Sequence, residues 1–305
     1  MILSLTAVWL IKILRKKQKI YFSRFFPLIL LFLLAGIVAV FVSPDTQSAL
    51  GHYKAYFIDP ILYFIVFINL IRSRKDLKLM VFSFGVSALL VSLFAVWQYL
   101  GIFSGLEPYI SESPKRATSL FEFPTAVGKF LGPIICLFLA LIFAGQEKIK
   151  SHWRDQAFLY GVTGFSLLAV ALSFTRAALL GIFAAFIFIS LFSRSKKIIW
   201  LLLLGLILLF MIIPGSRSQI ISVVSGADTS TDVHLIMWQG TWRMLQNNPV
   251  TGAGLAGFPA VYNLYRDPAH TELFPYPDNF FLAVWSEIGL AGLVIFTWVF
   301  PFWHP

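Results

Sequence analysis

Long apolar runs recur along the whole chain, and no other feature restricts its fold so severely. A hydrocarbon core about 30 Å thick is crossed by roughly 20 apolar residues in a helix. Runs of about that length lie near 25–42, 55–71, 79–103, 125–144, 157–174, 177–192, 198–214 and 280–300. Inside lipid every backbone amide must be paired within its own segment, so these runs predict helices. Of the 305 residues 58% are hydrophobic and 12% charged, against roughly 25% charged in a soluble domain. The expected fold class is all-α, a polytopic transmembrane helix bundle of eight spans with one large extracytoplasmic loop. Residues 1–14 are apolar but short, lack a positive leader and precede Arg15-Lys16-Lys17. That pattern reads as a clipped ninth span or an interfacial helix.

Lysine and arginine set the expected sidedness, because cytoplasmic loops collect positive charge. Arg15, Lys16, Lys17, Lys19 and Arg24 precede the first full span, and Arg72, Arg74, Lys75 and Lys78 follow the second. Lys148, Lys150 and Arg154 follow the fourth, and Arg194, Lys196 and Lys197 follow the sixth. The connections 43–54, 104–124 and 214–279 are poorer in these residues for their length and hold most of the acids, so they are expected outside. The division predicted is a 1–213 bundle of about seven spans with the short apolar start, a 214–279 external loop, and a last span and tail over 280–305. The net charge of +10 is then a topology signal and an attraction to anionic membrane lipid. No basic run is interleaved with aromatics in a polar segment, so nucleic acid is not an expected partner.

Several chemistries find little support. The one cysteine, Cys136, lies in an apolar run and can form no intrachain disulfide. The five histidines, His52, His152, His234, His270 and His304, contain no i, i+4 pair and no CxxC accompanies them, so no metal site is expected. Gly252-Ala253-Gly254-Leu255-Ala256-Gly257 fits GxGxxG, yet Asn247-Asn248-Pro249 precedes it where a dinucleotide fold would need a strand. The glycines read first as a tight turn at the membrane surface and second as amides that cradle a phosphate.

Two features stand out around the external loop. Thr231 or Asp232 is a possible cap for a helix running to about Asn247. Leu235, Trp238, Trp242 and Leu245 recur on one face of it, as expected of a helix lying in the headgroup zone. His234 points roughly with Trp238, whereas Arg243 is turned by about 180°. The second feature is Arg176, in the only break of the apolar stretch 157–192, Ser173-Phe174-Thr175-Arg176. A tight external hairpin with an arginine at the membrane face follows. Such an arginine either snorkels to the headgroups or binds a lipid phosphate bidentately.

Taken in order, three groups of residues carry a resemblance. They are Ser173-Phe174-Thr175-Arg176-Ala177-Ala178-Leu179-Leu180-Gly181; Trp238 with Asn248-Pro249-Val250-Thr251-Gly252-Ala253-Gly254 and Phe258; and Tyr276-Pro277-Asp278-Asn279-Phe280-Phe281-Leu282 leading to Glu287-Ile288-Gly289-Leu290-Ala291-Gly292. Arg116-Ala117-Thr118-Ser119 with Phe121 and Pro124 adds a looser fourth. Together they resemble the O-antigen ligase and polymerase family over roughly 116–292.

The resemblance implies a metal-independent glycosyltransferase of the bacterial cytoplasmic (inner) membrane, with no cofactor and with the 214–279 loop on the extracytoplasmic side. Its donor would be a glycan on undecaprenyl diphosphate, and its acceptor a hydroxyl of lipid A core, of another glycan or of another molecule. Arg176 would bind the diphosphate, with Arg243 and Arg266 as further cations for it. Asp278, His234 and His270 would be the catalytic candidates. The chain departs from the family twice: His234 stands where an arginine is usual, and Asp278 where a histidine is usual. It also stops at Pro305, a few residues past the last span, and is expected to be a C-terminally truncated copy. A transporter or flippase of a lipid-linked glycan and an inactive family member are the alternative readings.

Overall fold

A computed structural model describes residues 2–16, 19–102, 115–144, 153–192, 200, 204, 229–268 and 274–298. All regular structure among them is helical. The helices are α1 (Ile2–Lys16), α2 (Phe26–Val42), α3 (Thr46–Tyr53), α4 (Asp59–Leu70), α5 (Arg74–Tyr99), α6 (Pro124–Ala144), α7 (Trp153–Leu172), α8 (Arg176–Phe192), α9 (Thr229–Asn247), α10 (Phe258–Tyr262) and α11 (Phe280–Trp298). A π-turn over Lys54–Ile58 joins α3 to α4 without a break. Five stretches are long and apolar enough to cross a membrane: Thr46–Leu70, Arg74–Tyr99, Pro124–Phe143, Asp155–Leu172 and Phe280–Trp298. Phe26–Val42 and Arg176–Leu191 are shorter apolar helices. The expected span at 198–214 lies outside the described residues apart from Trp200 and Leu204.

One connection differs from expectation. The polar stretch after α2 was expected to run as loop to Lys54, but helix resumes at Thr46. Asp45 is the reason. Its carboxylate accepts from the amides of Gln47 and Ser48 at 3.1 Å and from the Ser48 hydroxyl at 2.6 Å. These are the first amides of α3, which would otherwise lack partners.

The chain divides into two compact units, one of Met1–Ser73 with Asp228–Pro305 and one of Arg74–Ala227. In the second, α5 packs on α7, and α6 packs on both α7 and α8. The helices flanking the 173–175 turn therefore rest on other helices, α7 chiefly on α5 and then α6, and α8 on α6, instead of forming a hairpin pressed together. Between helices in lipid the attraction comes from close packing, which small residues permit. Gly128 supplies such a contact on α6, where a Cβ would come within 2.7 Å of the Ala178 methyl on α8. The core around it includes Leu131, Ile135, Phe138, Ile182 and Phe186, all nearly inaccessible.

In the first unit α2 packs along α11, and α1 lies against α4 through Trp9, Ile13 and Val66. α11 is not continuous. Gly289 has φ 71° and ψ −178°, which breaks the helix near its middle.

Candidate functional site

α9 begins at Thr229, so Asp232 lies in its first turn and not at the cap. An acid there still favours the helix, because it faces the positive end of the backbone dipole. The helix ends at Asn247, just before Pro249, whose nitrogen has no proton for the ladder. Its buried side carries Met237, Gly240, Thr241, Met244 and Leu245. Leu245 thus belongs to the core face and not to the exposed apolar stripe. The stripe itself holds Leu235 and Trp242, each about half exposed. With Trp238, Gln239, Arg243 and Leu282 it lines an open groove of about 510 Å³.

His234 and Asp278, the two departures from the family pattern, meet beside this groove. His234 stacks on Trp238 one turn along α9, with ring centroids 6.3 Å apart and an angle of 28°. Asp278 is delivered by the connection to α11, whose N-terminus Asn279 caps by accepting from the amides of Phe281 at 3.1 Å and Leu282 at 3.2 Å. His234 Nδ1 lies 3.7 Å from Asp278 Oδ2. That separation is too long for a direct hydrogen bond and leaves both atoms within reach of one bridging hydroxyl. His234 Nδ1 and the indole Nε1 of Trp238 are enclosed, and neither has a hydrogen-bond partner. Enclosed polar atoms without partners are uncommon and costly, and here one, on His234, lies near a carboxylate and the other is on the indole stacked against that imidazole.

Arg243 also lines this groove, nine residues and so about two and a half turns along α9 from His234. It shares a neighbour with Arg266. The Tyr262 phenol, pushed up by burial and pulled down by the charges of Arg243 and Arg266, lies between their fields. Tyr262 packs on Gly240 of α9, where a Cβ would come within 2.8 Å of its ring. This phenol was missed in sequence, since a tyrosine in a polar loop carries no signal of the arginines that fold around it. His270 lies outside the described residues.

The glycines form the tight turn that the first reading expected, and that turn also has a structural role inside the fold. Gly252 and Gly254 have φ of 65° and 80°, a region side chains enter only with strain. The turn inserts into the break in α11. Ala253 N–H donates to Ser286 O at 2.6 Å, and Leu290 N–H donates to Val250 O at 3.0 Å. In an unbroken helix Leu290 would have donated to Ser286, so the turn takes over both halves of the lost bond. Leu255 N–H donates to Ala39 O of α2 at 3.1 Å, and the Trp285 indole donates to Pro249 O at 2.7 Å. The amides of Gly252 and Gly257 are also paired, with Asn248 O and Gly254 O at 3.0 Å each. Amides committed in this way cannot cradle a phosphate. The turn is a structural plug that joins α2 and α11.

Arg176 belongs to the other compact unit, half-buried at the first position of α8. The turn before it is buried and densely bonded. Phe174 has φ 51°, the Ser173 hydroxyl pairs with that of Thr175 at 2.7 Å, and Thr175 donates to Pro124 O at 3.1 Å. From the side, Arg116 Nε donates to Ser173 O at 3.2 Å. Among the described residues no group of three or more metal-ligating side chains comes together.

Residues 161–297 match the family model described as O-Antigen ligase. This segment is similar to an O-antigen ligase domain. It spans α7 to α11, a little under half of the chain, and contains Arg176, His234, the glycine turn and Asp278. Its several long apolar helices mark a multi-pass membrane protein. No curated protein and no solved structure matches the chain.

Proposed function

We propose that this O-antigen ligase-family protein is a glycosyltransferase of the bacterial cytoplasmic membrane. It moves a glycan from an undecaprenyl-diphosphate carrier to the hydroxyl of an acceptor such as lipid A core or a second glycan. The observation that carries the reading is the pairing of His234 with Asp278 beside an apolar, tryptophan-lined groove inside the matched segment. Asp278 takes the proton of the acceptor hydroxyl as its oxygen attacks the anomeric carbon of the donor. The bond from that carbon to the diphosphate breaks, and the electron pair leaves with the carrier. His234 holds the proton-bearing carboxyl after transfer, and the Trp238 indole donates to a substrate oxygen. Arg176 balances the charge that grows on the leaving diphosphate, since a guanidinium matches phosphate oxygens in pairs. Arg243, Arg266 and His270 supply further contacts to charged or hydroxylated substrate. The basic loops that precede and follow the spans support an extracytoplasmic 214–279 segment, on the side where a carrier-linked glycan is displayed.

The test is glycan transfer in membranes supplied with labelled carrier-linked glycan. Asp278→Asn keeps the shape of the side chain and removes the base. It should lower transfer by about 10²–10⁴-fold, the usual worth of a general base, at unchanged protein abundance. Full-rate transfer by Asp278→Asn would remove this residue from the mechanism. Movement of labelled glycan across the membrane without a new glycosidic bond would mark a transporter instead.

A further inference from the structure

The buried polar bonding in the Arg74–Ala227 unit converges on a side chain that the proposed reaction does not use. Gln98, the penultimate residue of α5, is 1% exposed. Its Oε1 accepts from two successive amides, Thr118 N–H and Ser119 N–H, both at 2.8 Å. Its Nε2 donates to the Thr118 hydroxyl at 2.9 Å. Ser119 has φ 56°, and its hydroxyl donates to Val91 O at 2.6 Å. The segment held in this way reaches across to the turn before Arg176. Ala117 N–H donates to Leu172 O at 3.0 Å, and Arg116 Nε donates to Ser173 O.

A three-residue joint between two helices needs none of this. Two buried residues in left-handed backbone, Ser119 and Phe174, persist only where the surroundings over-determine them. A buried amide inside an apolar bundle is costly unless every group is matched. The bonding on Gln98 fixes the 116–119 backbone against α5, and that backbone sets the height of the Ser173 carbonyl three residues before Arg176. We propose that Gln98 is a positioning residue that, through Arg116 and the 116–119 segment, aims Arg176 at the diphosphate of a lipid-linked substrate. This rests on Arg176 being the diphosphate ligand.

The experiment uses the full chain in lipid nanodiscs, with undecaprenyl diphosphate lacking any glycan as the binding probe. Thermal unfolding is followed in parallel, and donor KM and kcat are measured in the transfer assay. Gln98→Leu, which keeps the volume and loses the bonds, should weaken binding about tenfold, the scale of a lost buried hydrogen bond or two. Donor KM should rise by a similar factor, with kcat changed less. Gln98→Glu, whose carboxylate still accepts both amide protons, should recover most of the affinity. Arg116→Met breaks the relay at its half-buried far end and should weaken binding in the same direction even if Gln98→Leu fails to fold. Wild-type binding by Gln98→Leu or, where that variant does not fold, by Arg116→Met overturns the proposal, as does a Gln98→Glu no better than Gln98→Leu. Arg176→Ala separates the two levels. If it binds the probe like wild type, the diphosphate reading itself has failed; if it alone loses binding, only the positioning role has.

Discussion

The glycine turn and the His234–Asp278 pair are neighbours in one compact unit, and they treat hydrogen-bonding groups in opposite ways. In the turn, the amides of Gly252, Ala253, Leu255 and Gly257 all donate to backbone carbonyls, and the gap opened by Gly289 is filled from outside the helix. At the pair, the His234 Nδ1 and Trp238 Nε1 atoms are enclosed and unpartnered, and the nearest carboxylate oxygen is 3.7 Å away. Groups that are fully matched have nothing left for a ligand, whereas groups left unmatched at a cost are where a ligand would repay it. The turn that looks like a phosphate-binding motif is scaffold. The pair that breaks the family pattern is the better candidate for chemistry.

Asp278→Asn should therefore remove transfer while leaving the unfolding midpoint close to that of wild type. Gly289→Ala should do the reverse of that, acting on folding. The left-handed backbone alone costs an alanine about 1–3 kcal/mol, and its Cβ would also run into the Val250 carbonyl. Reduced accumulation in the membrane and a lower unfolding midpoint are the readouts; a normal midpoint would mean that the turn is not the plug described. Trp285→Phe keeps the ring against Trp242 and loses only the bond to Pro249 O, so a loss of about 1 kcal/mol is expected.

The smallest effect is expected beside the same plug, at Asp45. The Ser48 hydroxyl and amide hold its carboxyl below the usual carboxylate range. A lowered folded value means that the cap contributes above the ordinary carboxylate pKa and loses its contribution as pH falls through the lowered one. The gap in midpoint between wild type and Asp45→Ala should accordingly be present at neutral pH and close in acid. A gap that persists at pH about 2 would show that the cap does not act through its charge.

Most of the helices were legible because lipid leaves an apolar run no alternative to intrasegment pairing. The restart at Thr46 was not, since its polar residues look like loop until Asp45 is seen to cap them. Leu245 was assigned to the wrong face because a spacing of seven residues from Trp238 fits both an exposed stripe and its border with the core. His234, Asp278, Arg176, Arg243 and Arg266 were each visible as polar or charged residues in suggestive places. Gln98 was legible only as a polar residue at the end of an apolar run, and nothing local to it announces the two amides it holds.

Residue order alone determined that this chain carries membrane-length helices, where most of them lie and which family its second half resembles. Those properties follow from local run length, loop charge and motif order, all of which act over short distances along the chain. Only the tertiary structure decided that His234 meets Asp278, that the glycine amides are spent on a broken helix, and that Gln98 braces the turn before Arg176. Each of these depends on which distant groups compete for the same hydrogen bonds, and that competition is settled only when the helices pack.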